Sequence, residues 1–254
     1  MEEKQMVDTS FDFTSDTPHY WDGFWEVRNG LGVAGNDPDA MSPTLREYHR
    51  ILWSKTLPNG EKMELSFGPN NEYLTWGGFS FGSDSIIVSF RYEKYRFMLD
   101  KVAEQLPDYH QFVEDYLHKS YTIGGTVTFP KRMGGINQSR GCNSLIRDRW
   151  DLTLECIRRY YQGEGSPLYD VLEEEDDFFR LFVDFKGYVD FFFFQDCVDD
   201  NYSRVLMFEG SCDFKEDPLP KTVEDYFSFI DAEMAFLEKR NQRIAEWCIN
   251  GEVE

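Results

Sequence analysis

Positive charge is scarce in this 254-residue chain: 26 Lys and Arg stand against 47 Asp and Glu, a net charge of −21. Such a field repels phosphate backbones and anionic lipid, which argues against general nucleic-acid or membrane-surface binding. Long apolar runs are also missing. The longest aromatic run, Phe191 to Phe194, is closed by Asp190 and Asp196, whereas a membrane span takes about 20 apolar residues. The opening Met1-Glu2-Glu3-Lys4 has neither a basic n-region nor an apolar h-region, so no secretory leader is expected. The five cysteines are odd in number and form no CxxC pair. That pattern fits reduced thiols in a cytoplasm, not a disulfide framework or a zinc knuckle. The four histidines show no HxH or HExxH spacing, and there is no Walker A sequence and no GxGxxG after a strand. No metal or cofactor is therefore expected.

What the chain does have is aromatic mass: 23 Phe, 14 Tyr and 6 Trp, 17% of all residues. These large apolar groups exclude a disordered polymer, and a chain of this length hides roughly 70–75% of its extended surface on folding. The expected organisation is one domain over residues 1–254, with a weak possible boundary near 130.

The local signals divide the chain in two. Ser42-Pro43 reads as a helix start, Ser as N-cap and Pro in the first turn, with Leu45, Tyr48, His49 and Leu52 at helical spacing. Leu57-Pro58-Asn59-Gly60 reads as a hairpin turn of type I′. Strands are expected over Ile86 to Phe90 and Thr122 to Phe129, mainly within residues 50–130. Two helices fill 93–118, parted at Leu106-Pro107-Asp108. After 140 the periodicity is helical, with a helix over about 144–162, shorter ones within 167–195 and a long one from Thr222 to Cys248. Strands first and helices afterwards predict an α+β fold. The run Phe191 to Phe194 reads as core.

Charge is unevenly spread. Residues 131–160 hold seven basic side chains against three acids, so this stretch is +4 and the remainder −25. At 100° per residue from Ile146, one arc collects Ile146, Trp150, Leu154, Ile157 and Tyr161. The opposite arc collects Arg147, Asp148, Asp151, Glu155, Arg158 and Arg159, and is expected to be a solvated face with ordinary i,i+4 ion pairs. Arg149 falls on the rim of the apolar arc, where a guanidinium needs a carboxylate or a bound anion. Upstream, Gly134 to Gly141 is a polar loop feeding a helix N-terminus, a favourable place for an anion. Either Arg149 meets a buried acid and the loop merely turns the chain, or the loop amides with Arg140 and Arg149 hold an anion.

Two other patterns lead less far. Gly78-Phe79-Ser80-Phe81-Gly82 satisfies GxSxG, but a nucleophile elbow needs a strand before the Ser and a helix after it, whereas here a strand-like run follows and no βαβ series surrounds it. Asp196, Asp199 and Asp200 read as a solvated acidic turn in preference to a Mg²⁺ site.

The segment Asp148-Arg149-x-Asp151-Leu152-Thr153-Leu154-Glu155-Cys156-Ile157-Arg158-Arg159, preceded by Asn137-Gln138-x-Arg140-Gly141, resembles the central motif of an uncharacterised bacterial family of unknown function. Further matching pieces are Phe11-Asp12-Phe13 with Asp16-Thr17-Pro18, Asp37-Pro38-Asp39 with Ser42 to Leu45, Leu52 to Lys55 with Leu57 to Gly60, and Ser83 to Ile86. Residues 19–36 look inserted, with Trp21, Phe24 and Trp25 available to cover a site. The resemblance implies one family unit over most of the chain and carries no activity.

The residues themselves suggest an intracellular protein binding a small anionic ligand, a nucleotide or another phosphorylated metabolite. Arg140 and Arg149 would hold the anion and Asn137 and Gln138 would orient it. Asp148, Asp151 and Glu155 would be supporting partners or, if chemistry occurs, acid/base groups. Whether it is an enzyme stays open. The alternative is an acidic interaction protein that docks a basic partner without catalysis.

Overall fold

The first helices start where Ser and Pro place them. In this computed structural model, which describes residues 7–25, 36–69, 73–86, 96–140, 145–210, 212, 214 and 220–250, α1 is Pro38–Met41 and α2 is Pro43–Trp53. Ser42 caps α2 by accepting from the Leu45 N–H at 3.1 Å, and its hydroxyl donates to Asp16 at 2.6 Å. Leu45, His49, Leu52 and Trp53 are its buried face.

The turn at residues 57–60 forms, with a different geometry from the one expected. Gly60 N–H bonds Leu57 O and Leu57 N–H bonds Glu61 O. Only Gly60 has a positive φ (88°), while Asn59 does not. Pro58 in the second position with a right-handed residue after it makes a type I turn closed by a left-handed glycine, not type I′. The strands it joins are reduced to the single bridge between Thr56 and Lys62.

A four-stranded antiparallel meander follows: β1 (Ser66–Phe67), β2 (Leu74–Trp76), β3 (Phe79–Ser85) and β4 (Thr126–Pro130). Gly77 and Gly78 both take positive φ, and so supply the two-residue turn that pairs Trp76 with Phe79. Ser80 therefore lies inside an antiparallel strand opposite Thr75, which removes the nucleophile-elbow reading of GxSxG. Ile86 extends β3 by bonding Gly125 O, while Ile87 to Phe90 of the expected strand lie outside the described residues. Between β3 and β4 run α3 (Arg96–Gln105) and α4 (Tyr109–Ser120), then a 3-10 turn at Ile123–Gly125. β4 is buried at all five positions.

After the sheet the chain is helical: α5 (Ile136–Arg140), α6 (Trp150–Tyr161), α7 (Tyr169–Glu173), α8 (Asp176–Phe179), α9 (Phe185–Phe191) and α10 (Val223–Asn250). The α+β architecture, with its strands before 130 and helices after 140, is thus the one the local signals predict. One continuous core runs from Val7 to Ile244. Phe191 to Phe194 lie in it, all buried. They can all point inward because α9 ends in a Schellman turn, with Phe194 N–H on Val189 O and Phe193 at φ 60° where glycine is usual.

Two basic side chains stitch the sheet half to the helical half. Arg240 of α10 is fully buried and donates to Gly124 O (2.7 Å), Thr126 O (2.8 Å) and Phe192 O (3.1 Å). Burial lowers its pKa to about 9. Lys55, just beyond α2, donates to Phe191 O at 2.5 Å. The terminal helix buries Glu233 and Arg240 along with its apolar stripe, so its inner face is wider than the hydrophobic periodicity alone indicates.

Candidate functional site

The basic island folds around its own counter-charges. Helix α6 begins at Trp150 and not near 144, with Arg149 extended (φ −124°, ψ 131°) as its N-cap residue. Position 144 itself lies outside the described residues, as do Gly141 and Cys142. The segment before the helix bends instead of coiling, which delivers Asp148 to the Arg140 guanidinium at 3.2 Å. The expected solvated face is overturned as well: every residue from Trp150 to Ile157 is buried, including Asp151 and Glu155. The helix packs on α7 and α9, with Trp150 against Phe129 of β4 and the 208–209 segment over Asp151 and Arg149, so a wheel with one wet side does not describe it.

Arg149 is 1% exposed. Its Nε and Nη2 grip the two oxygens of Asp151 at 3.0 and 2.5 Å, a bidentate pair, and Nη2 also donates to Glu209 O at 2.9 Å. The Asp151 carboxylate accepts two more hydrogen bonds, from the backbone N–H of Leu152 (2.9 Å) and of Phe208 (2.8 Å). Arg140, fully buried, donates to Thr153 Oγ1 (3.0 Å), Ser85 O (3.1 Å) and the carboxylate of Asp84. Burial raises Asp84 to about 7 against the pull of Arg140. Asn137 donates to Ser83 O at 3.3 Å, and Ser83 Oγ donates to Asp39 at 2.7 Å. Gln138 turns outward and accepts from Gly134 N–H at 2.8 Å. Glu155 holds Arg158 (2.7 Å) and Arg159 (2.8 Å), which keep its pKa low against the burial that opposes them.

Asn137, Arg140 and Asp148 therefore meet in one cluster with Asp39, Ser83 and Asp84, while Arg149 and Asp151 form a second, deeper pair. The described residues of four segments that carry the resemblance (37–39, 83–86, 137–140 and 148–159) converge here. The acidic turn is likewise engaged: Asp196 pairs with Arg243, and Asp199 accepts from Ser203 and Arg204 N–H groups. Among the described residues no group of three or more His, Cys, Asp or Glu is arranged to hold a metal. Nor is any helix among them long and apolar enough to cross a membrane. The described part of the insertion packs on α4, with Trp25 stacked on His110 at 3.8 Å and bonded to Glu114.

A second location emerges only from the tertiary structure. A cleft of about 880 Å³ opens between the Lys55–Pro58 corner, α9 and the end of α10. Of the residues that line it, Lys55 and Phe191 are buried, Trp247 is half-buried, and Val183, Asp184 and Lys186 are exposed. Lys55 is 7% exposed, its ammonium 4.0 Å from the Phe193 ring centre, 4.4 Å from Phe191, 5.3 Å from Trp247 and 5.5 Å from Trp53. Two carboxylates share the lining, Asp184 and Asp190. Asp184 caps α9 through Gly187 N–H at 2.7 Å, and Asp190 accepts from Lys186, Tyr202 (2.8 Å) and Gln195 (3.1 Å).

Backbone strain gathers around the same cleft. Of the four non-glycine residues with positive φ among those described, Val183 lines it, Phe193 stacks on Lys55 and Tyr202 holds Asp190. A β-branched or bulky residue in that region is unusual, and such outliers gather at functional sites. Gly187 is required here, since a Cβ would lie 2.1 Å from Phe182 O and 3.1 Å from Pro58. Charge counting along the sequence passes over this cleft. The available signal was the pair of matching segments Leu52 to Lys55 and Leu57 to Gly60, which form one of its walls.

An α+β chain with a short antiparallel meander and a helical, aromatic-rich core is the class this fold defines. The chain belongs to a family of unknown function, DUF6994, whose model matches residues 7–244. No curated protein and no solved structure shows significant similarity to it.

Proposed function

We propose that this protein binds a small anionic ligand with an apolar body, seated in the Lys55 cleft and not at the Asn137–Arg149 island. The observation that carries the reading is Lys55: a buried ammonium among four aromatic rings in the lining of an open cleft. The volume of about 880 Å³ lies in the range of small-molecule sites, which combine apolar walls with a few placed polar groups. Against the island stands the commitment of Arg140 and Arg149 to Asp84, Asp148 and Asp151. An arriving anion there would have to displace a carboxylate of the protein itself. An intracellular, reducing setting belongs to the same proposal, supported by Cys156, Cys197 and Cys212, which form no disulfide among the described residues.

The test is a thermal-shift panel of aromatic and aliphatic carboxylates and sugar phosphates at fixed ionic strength, on the native chain and on Lys55→Met. A ligand at 100 times its Kd adds about 2.7 kcal/mol. Stabilisation by an anion that disappears in a folded Lys55→Met variant is the expected result. Equal stabilisation of both proteins refutes the assignment.

A second reading, docking of a basic partner, is favoured by one observation. Arg140 and Arg149 are buried against acids, and Arg132, Arg158 and Arg159 pair with glutamates, so they do little to relieve the acidic surface of a chain at −21. Association with polylysine that weakens steeply between low and physiological salt would support it, and salt-independent association would not.

A further inference from the structure

We infer that a pocket walled by three tyrosines is a second binding site, and that it takes a small quaternary ammonium ion. The inference is independent of the reading of Lys55 given above.

The pocket, about 390 Å³, is lined by Tyr160, Tyr161, Tyr169, Glu173, Asp176 and Arg180, with Val183 completing the wall. Tyr160 meets both of the other rings. Its centre is 5.5 Å from that of Tyr161 with the planes inclined at 68°, and 6.4 Å from that of Tyr169 with the planes at 51°. All three are half-buried, so each keeps part of its surface for a ligand. Two of them are pinned. Tyr160 donates to Asp176 and packs on the buried Phe179, and Tyr161 donates to Phe179 O at 2.7 Å. Among the described residues no Lys or Arg stacks on any of the three, although Arg46, Arg159 and Lys186 lie over rings elsewhere. Inclined aromatic rings around one hollow attract a cation through their quadrupoles.

The charges set the kind of cation. Two carboxylates against one guanidinium leave the lining negative. Both oxygens of Asp176 are already engaged, one by Arg180 at 2.6 Å and the other by Tyr160. A primary ammonium brings three N–H donors that need acceptors in place of water, and it would compete with Arg180 and Tyr160 for Asp176. A quaternary ammonium donates no hydrogen bond. It needs aromatic rings, apolar contact and a negative field, which are what this lining offers. Glu173, exposed, adds to the field without having to touch the ligand. Val183 adds apolar contact. It sits at the centre of a γ-turn (φ 69°, ψ −54°) closed by Asp184 N–H on Phe182 O at 2.8 Å, and it is 63% exposed. A glycine would take that conformation without strain, whereas valine brings two methyl groups to the wall.

The experiment is calorimetric titration of the full chain, at fixed ionic strength, with choline, with dimethylbutanol (its neutral isostere, carbon replacing nitrogen) and with ethanolamine, its unmethylated counterpart. Choline is expected to bind, and the other two about tenfold more weakly. Tyr169 makes no side-chain hydrogen bond among the described residues, so Tyr169→Phe should leave choline binding intact. Tyr169→Leu should weaken it about five- to thirtyfold, the worth of one cation–π contact. Should that variant fail to fold, Glu173→Gln at its exposed position carries the test, with an expected loss of about two- to fivefold. Dimethylbutanol binding as tightly as choline, choline affinity unchanged in Tyr169→Leu or Glu173→Gln, or no choline binding at all would each overturn the site. Phosphatidylcholine vesicles separate a lipid headgroup from a free ion: co-sedimentation with vesicles and no binding of free choline would overturn the small-ligand assignment.

Discussion

Replacing Asp151 by Asn tests the claim that the basic island is held by internal pairing. The substitution keeps shape and removes the charge that faces Arg149, a guanidinium 1% exposed with its counter-ion at 2.5 and 3.0 Å. Breaking a buried pair by removing one partner costs about 3–5 kcal/mol, because the other charge stays in a low-dielectric interior. The backbone bonds from Leu152 and Phe208 to the same carboxylate place the cost toward the upper end. Against a typical stability of about 5–15 kcal/mol this is a large fraction. At roughly 2–4 °C per kcal/mol for a chain of this size it lowers Tm by about 6–20 °C. Urea unfolding followed by far-UV circular dichroism and tryptophan fluorescence measures it, with an unchanged slope showing that only stability moved. The companion Arg149→Met, alone and combined with Asp151→Asn, closes a double-mutant cycle. Residues in one buried pair should couple by about 2–3 kcal/mol. A loss below about 1 kcal/mol for Asp151→Asn, or additive single costs, would refute the reasoning.

Two further outcomes follow from other parts of the fold. His49 is fully buried between Tyr73 and Thr126, both at 3.0 Å, and burial with the nearby Arg240 lowers its pKa to about 3. An unfolded histidine takes up its proton near 6.5 and this one does not, so His49 alone costs stability as pH falls from about 6.5 toward 3, by about 1.4 kcal/mol per unit. His49→Gln should flatten that limb of a stability–pH curve, and a limb of unchanged slope would count against a neutral His49. In the cleft lining, Val183→Gly removes an exposed β-branched residue from φ 69°. After the entropy that glycine adds to the unfolded chain, it should stabilise by about 1 kcal/mol. A loss of stability in thermal unfolding would mean that the γ-turn is not strained.

Local chemistry made much of this protein readable from its residues alone. Ser42 with Pro43, the turn at Leu57–Gly60 and the Leu106–Asp108 break act within a few residues, so helix starts, turns and the strand-then-helix order follow from them without knowledge of the rest. The excess of acid over base and the aromatic mass likewise belong to the chain as written. What lay beyond such reading depends on partners far apart in sequence. The periodicity of Asp151 matches a wet face, yet Phe208 and Glu209, nearly sixty residues on, close over its pair with Arg149. Arg140 gained its meaning only when β3 carried Asp84 to it across more than fifty positions. The Lys55 cleft needs Phe191, Phe193 and Trp247 brought to one place by α9 and α10, and no window along the chain contains them together. Burial, pairing and concavity are set by which surfaces meet. Those meetings are fixed by the packed core as a whole, and so only the tertiary structure decided where a ligand has room to sit.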